Sequence, residues 1–271
     1  MNNTILTSAV GLQWDAVQLF IRSLRLVSNK SIIYFILNKK DNKVIENLKK
    51  YNVEFYFVED HRFDIQKKRF SYYLNILNNI NNIDKVLLCD CRDIYFQKNI
   101  FDYLFKKKIN FFSEDYLIKN CPFNSNWIYK TFGPKELNKL SSNNISCSGT
   151  VLGDIDNIKK YLNLIIALSK DYPYKKRLKY LLTFRRDKSG RGCDQAYHNY
   201  IVYNNFFDDK QIFSNLSGPI ATVYYLKNIR FNSSYELLNN NLEPYFIVHQ
   251  YDKRWDKFSE ALNSFRKKLN I

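Results

Sequence analysis

The sequence is short of the residues that make linkers and tight turns. Its 271 positions hold 7 glycines and 5 prolines. That is too few for flexible tethers between separate units, so one compact domain spanning residues 1–271 is expected. Apolar runs never approach the ~20 residues that a membrane-spanning helix needs. The opening Met-Asn-Asn-Thr also lacks the basic and apolar regions of a signal peptide. These absences exclude a transmembrane segment and predict a soluble cytoplasmic protein, or one peripheral to a membrane. Cysteine is sparse: Cys89, Cys91, Cys121, Cys147 and Cys193 make an odd set of 5. No pair has zinc-ligand spacing, and Cys89 and Cys91 stand too near in sequence for an ordinary disulfide. Free thiols in a reducing compartment follow. Acidic residues are outnumbered, with 26 Asp and Glu against 42 Lys and Arg, for a formal net charge of +16. Such a surplus can signal nucleic acid, anionic membrane or phosphorylated small molecules as partners. The lysines are spread along the chain, however, and no RNP, zinc-finger or helix-turn-helix signature occurs, so no nucleic-acid partner is expected.

What is plentiful is aromatic: 21 Tyr and 21 Phe. AT-rich codons account for that surplus together with the many Asn, Ile and Lys. Hydrophobic residues make up 45% of the chain, enough for a substantial core.

Periodicity gives an alternating order of elements. Thr4–Val10 reads as a strand, Asp15–Val27 as an amphipathic helix, Ser31–Leu37 as a buried strand, Val44–Tyr51 as a short helix and Val53–Val58 as a strand. This is the opening of a doubly wound α/β sheet of the nucleotide-binding kind. A helix over Ile65–Ile80 and an apolar strand over Lys85–Cys89 come next. Further strands are predicted at Asn110–Ser113, Ser146–Leu152, Ala221–Leu226 and Tyr245–Val248, and helices at Asn157–Ser169, Asp194–Tyr203 and Trp255–Leu269. Residues 171–191 are basic and irregular, and read as partly helical.

Four places carry residues suited to chemistry. The strand Val86–Cys89 stops at Asp90-Cys91-Arg92-Asp93. Ligands of open α/β sheets gather at strand carboxyl ends, and two carboxylates in one turn can hold a hard divalent cation. The competing reading is a plain acidic turn neutralised by Arg92. Far along the chain, Tyr245–Val248 runs into His249, with Lys253 and Arg254 close behind. A neutral imidazole can be a third ligand of Mn²⁺, and the two cations suit diphosphate oxygens. The alternative is a structural histidine beside an exposed basic turn. Third, Gly192-Cys193-Asp194-Gln195 opens a helix; Asp194 is a carboxylate for a sugar or an acceptor hydroxyl, or simply a helix cap. His198, one turn on, reads as a packed histidine. Fourth, Ser146–Gly153 puts small residues inside a strand, which suggests close passage of a ligand or a second backbone. Arg69, on the helix before the acidic turn, either pairs with Asp90 or touches a nucleotide.

Together these residues resemble a glycosyltransferase of the GT-A type, similar in plan to glycogenin-like and related nucleotide-diphospho-sugar transferases. The resemblance runs from Thr4 to about Phe258. It implies a single Rossmann-like domain with a mixed central sheet flanked by helices. Residues 1–115 would form the nucleotide-binding half and residues 116–271 the sugar and acceptor half. Leu88–Phe96 stands where that family carries its D-x-D motif, here varied to D-x-x-D. The resemblance implies Asp90, Asp93 and His249 as ligands of Mn²⁺ or Mg²⁺. It implies Thr7, Ser8 and Lys253 on the nucleotide, where Arg69 and Arg254 are further candidates, and Gly149 and Gln195 at the sugar. The partners it implies are a nucleotide-diphosphate sugar, with UDP the expected carrier, and a glycan or other hydroxyl acceptor. Asp194 would be the base of an inverting reaction or would orient the sugar in a retaining one. The alternatives are an inactive relative that binds nucleotide-sugar without turnover, a basic nucleic-acid-binding protein, and a phosphatase with a paired-aspartate motif, whose spacing and location do not fit.

Overall fold

A computed structural model of the protein describes residues 2–28, 30–60, 65–170 and 192–271. The predicted irregular stretch at 171–191 lies outside the described residues. The chain opens β1 (Asn2–Ser8), α1 (Trp14–Val27), β2 (Ile32–Asn38), α2 (Asn42–Leu48) and β3 (Glu54–Val58). It continues α3 (Ile65–Asn78), β4 (Ile83–Cys89), β5 (Ile94–Phe96), β6 (Ile109–Leu117), α4 (Pro122–Phe132) and α5 (Pro134–Leu140). Then come β7 (Asn144–Asp154), α6 (Ile155–Lys170), α7 (Cys193–Tyr203), β8 (Lys210–Phe213), β9 (Ile220–Thr222), β10 (Ile247–His249) and α8 (Trp255–Lys268).

Seven strands form a mixed central sheet in the order β3-β2-β1-β4-β7-β6-β8. β7 runs antiparallel to both of its neighbours, and the other pairs are parallel. The fold is α/β with helices on both faces, as the sequence led one to expect. Strand alternation divides the core. Leu6, Ile36, Val86 and Leu88 face the layer that includes Phe70, Tyr73, Ile158 and Ile201. Ile5, Phe35, Leu37 and Leu87 face Val17, Phe20, Ile21 and Leu24 on α1. Each such side chain removed from water contributes ~1.5–3 kcal/mol.

A second, three-stranded sheet has the order β5-β10-β9. β10 is antiparallel to β5 and parallel to β9. Tyr95, Val248 and Tyr245 pack there with Phe258 and Leu262 of α8. The predicted strand at Ala221–Leu226 is confined to Ile220–Thr222: Leu226 N–H bonds Val223 O at 3.1 Å, closing a turn where a strand would need to stay extended. No helix among the described residues is long and apolar enough to cross a membrane. All five cysteines are buried, and none is in a disulfide.

Candidate metal centre

Two backbone ladders bring the central residues together. β4 pairs with β7 up to Cys89 and Thr150, and the Asp90 N–H extends the ladder onto Gly149 O at 2.9 Å. In the smaller sheet Ile94 pairs with His249, and the Gln250 N–H donates to Asp93 O at 2.8 Å. Asp90 therefore ends a strand of one sheet, while Asp93 and His249 lie side by side at the start of the other.

Their ligand atoms lie within 4.8 Å of one another. His249 Nε2 is 3.6 Å from Asp90 Oδ2 and 3.7 Å from Asp93 Oδ1. Two ligands each ~2.1 Å from one cation stand about 3–4 Å apart, so this spacing fits a small divalent ion. His249 is 1% exposed, and its Nε2 has no hydrogen-bond partner among the described residues. Gly149 lines the same gap: a Cβ there would fall 2.7 Å from Asp90 Oδ2 and 2.5 Å from His249 Cε1. An orphaned nitrogen, two carboxylates and a strand kept bare beside them make a group that could hold a metal ion.

Charge is unevenly distributed around it. Burial alone would raise the Asp90 carboxyl, but Arg69 and His249 outweigh it and hold it below the usual carboxylate range. Asp93 moves the other way, raised by burial and by Asp90 and Asp252 against the pull of His249. Burial opposes charge on His249, yet the thiol of Cys147 and the two carboxylates overcome it and favour a proton there. A cation on Nε2 would satisfy the same carboxylates in place of that proton. Cys147 Sγ lies 3.6 Å from His249 Nδ1, on the side of the ring away from Asp90 and Asp93. Arg92 pairs with Asp252 at 3.0 Å and with the second oxygen of Asp93 at 3.5 Å, which leaves Asp93 Oδ1 turned to His249.

No protein-family model matches the chain, and no characterised protein matches it in sequence. The residues and their geometry therefore carry the functional reading.

The other candidates divide between those near the triad and those occupied elsewhere. Arg69 bridges two carboxylates, donating through Nη1 to Asp90 Oδ1 and through Nη2 to Asp194 Oδ2, the latter at 3.1 Å. Asp194 is thus one guanidinium away from the metal group, and burial raises it against the pull of Arg69. Gln195 spends its amide on β7: Oε1 accepts from Ser148 N at 2.9 Å, and Nε2 donates to Ser146 O at 2.5 Å. Asn199 adds two bonds to the backbone of Ser146. Gln195 therefore braces the strand that carries Gly149. His198 is packed, as expected, between Ser146 Oγ and Tyr161 Oη. Thr7 is fully buried and donates to Cys89 O at 2.9 Å, which fixes β1 to the end of β4. Ser8 Oγ is buried without a partner among the described residues. Arg254 is turned onto the carbonyls of Leu226 and Val223, 2.8 and 3.4 Å away. Lys253 stays half-exposed beside Asp252.

Two residues next to the triad escaped the sequence reading. Cys147 lay inside a segment noted only for its small residues. Glu114 falls just beyond the strand predicted at Asn110–Ser113, whereas β6 runs on to Leu117 and buries it. An acid within a strand flanked by aromatics was the available signal.

Proposed function

We propose that this chain is a metal-dependent glycosyltransferase, moving a sugar from a nucleotide-diphosphate sugar, a UDP-sugar by expectation, to a hydroxyl acceptor. The observation that carries this reading is the convergence of Asp90, Asp93 and His249 at the carboxyl end of β4. That position is where strand order reverses, since β1 leads to β2 and β3 on one side while β4 and β7 lie on the other. Ligands of open α/β sheets bind at such switch points.

Asp90, Asp93 and His249 would hold Mn²⁺ or Mg²⁺, an oxygen-rich ligand set suited to hard ions. A divalent ion there supplies charge neutralisation to a leaving diphosphate. The chain's own residues do the rest. Lys253 is the side chain with reach and freedom to meet phosphate oxygens. The carboxyl end of β1, with the unpartnered Ser8 Oγ, suits the nucleoside. Arg69 keeps Asp90 ionised and holds Asp194 in register with it. Asp194 then acts as base toward the acceptor hydroxyl if the anomeric centre inverts, or orients the sugar if it is retained.

The test is a thermal-shift screen of nucleotide-sugars with and without Mn²⁺. A ligand that binds only the native state raises the melting temperature. The expected result is a shift for one nucleotide-sugar that requires Mn²⁺ and disappears in EDTA, followed by release of the nucleoside diphosphate when acceptor is added. A nucleotide-sugar shift that is indifferent to EDTA, or no shift with any donor, would overturn the assignment.

A further inference from the structure

Glu114 on β6 is a buried carboxyl without a charged or backbone partner among the described residues. It is 6% exposed. Among the described residues no hydrogen bond or ion pair to its carboxylate is made, and His249 and the Cys147 thiol pull against its burial. Burial pushes it up to about 7. A buried carboxyl normally has a cation or several donors, so among the described residues Glu114 has room for a further hydrogen-bond donor. Through Cys147 it is joined to His249, just as Asp194 is joined through Arg69 to Asp90.

The surroundings of Glu114 are aromatic. Tyr225 feels its charge and stacks on Tyr116 at 4.0 Å with the planes 6° apart. Tyr224 meets Tyr225 at 4.5 Å and 63° and is 41% exposed. The two tyrosines leave the smaller sheet level with the triad, since the Val223 N–H donates to His249 O at 3.0 Å. Tyr225 Oη lies 3.2 Å from Cys121 Sγ, which fixes the ring. Asp115, at φ +49°, accepts from Ser214 Oγ and Leu216 N and anchors the bulged part of β6 that carries Glu114 and Tyr116.

Rigid aromatic faces and a carboxylate lacking donors are complementary to one class of small molecule. A pyranose offers a face of weakly positive C–H bonds for the ring quadrupole and hydroxyls that donate to a carboxylate. A nucleotide could use the rings but would bring phosphate toward Glu114. A simple alcohol could use the carboxylate but would leave the rings uncovered.

We propose that Glu114, Tyr224 and Tyr225 form a subsite for a pyranose, its ring stacked on the tyrosines and a hydroxyl donating to Glu114. Its role as the acceptor site rests on the transferase reading; sugar binding itself does not. A sugar held there lies on the Cys147 side of His249, across the ring from Asp90 and Asp93, and on the transferase reading the acceptor class becomes a glycan.

The experiment is saturation-transfer NMR on the full chain with methyl glucoside, galactoside, mannoside and N-acetylglucosaminide, each with and without Mn²⁺ and UDP. The expected result is transfer to the ring protons of at least one glycoside. Tyr224→Ala should weaken that binding about tenfold or more, as should Glu114→Gln. Phe57→Ala, which removes an exposed ring from the remote edge strand β3, should leave it unchanged. Tyr224 is exposed, so its variant should keep the native near-UV circular dichroism, and Tyr224→Leu serves if it does not. No transfer to any glycoside in either condition, or wild-type affinity in the folded Tyr224 variant, would overturn the subsite. Glycoside binding without any Mn²⁺-dependent nucleotide-sugar shift would remove the transferase reading and leave the sugar site. The converse result would remove the subsite alone.

Discussion

Among single residues, the triad depends on an atom that is missing. A methyl group at position 149 would enter the gap shared by Asp90 and His249, at distances no real Cβ tolerates. Gly149→Ala should therefore weaken Mn²⁺ binding about tenfold or more and destabilise the fold by ~1–3 kcal/mol as the strand shifts. Titration calorimetry and urea unfolding would separate the two effects; wild-type Mn²⁺ affinity in this variant would place the ion elsewhere. His198 supplies a second residue-level expectation. Burial, with the charge of Arg69, pushes it down to about 3 from an ordinary 6.5. The native state then refuses a proton that the unfolded chain accepts below pH 6.5. The contribution of this residue to stability is complete above that pH and falls by ~1.4 kcal/mol per pH unit as pH drops toward 3. The stability gap between wild type and His198→Gln should narrow by about 2 kcal/mol between pH 7 and pH 5. A constant gap in urea titrations at the two pH values would contradict this. The comparison with the variant matters because Glu114, shifted upward, contributes a slope of opposite sign.

Among elements, the start of α7 is the most constrained. Gly192 has φ +82°, and a Cβ there would lie 2.2 Å from the Trp127 ring. Gly192→Ala should cost ~2 kcal/mol or more, from left-handed backbone and a clash with the Trp127 ring. Because Asp194 lies two residues on, its pairing with Arg69 should loosen as well. Urea unfolding measures the first effect, and a near-neutral result would show that the helix start can move. The elements also show what could be read from sequence. β1 to β4 were legible because each carries a short apolar stretch between polar turns. β5 and β8 were not, since three or four residues are too few to display a period. Helices α4 and α5 begin at Pro122 and Pro134, start signals without an apolar stripe long enough to draw attention. At the site, Asp90, Asp93 and His249 stood out because charge follows directly on an apolar strand. The bracing role of Gln195 and the turning of Arg254 onto carbonyls left no trace, because backbone acceptors are present at every position. Glu114 was hidden by the bulge that makes a polar stretch part of a buried strand.

In the molecule as a whole, the metal group is also a joint. Asp90 closes the seven-stranded sheet, while Asp93 and His249 belong to the smaller one. An ion bound to all three adds a link between two sheets that also meet through the Cys147–His249 contact. At a free Mn²⁺ concentration 100 times its dissociation constant, native stability should rise by ~2.7 kcal/mol. Hydrogen exchange should slow in both sheets together; protection confined to one of them would mean that the ion is held from that side only.

Along the chain, Cys91 and Arg92 are all that separate the two aspartates. This connection has no slack. One residue inserted after Cys91 would let the carboxylates drift out of step even if each sheet kept its own hydrogen bonds. A short turn between two strands would ordinarily be a safe place for a tag or an epitope. Here it sets the gauge between two halves of a socket, and its length is a dimension of the binding site.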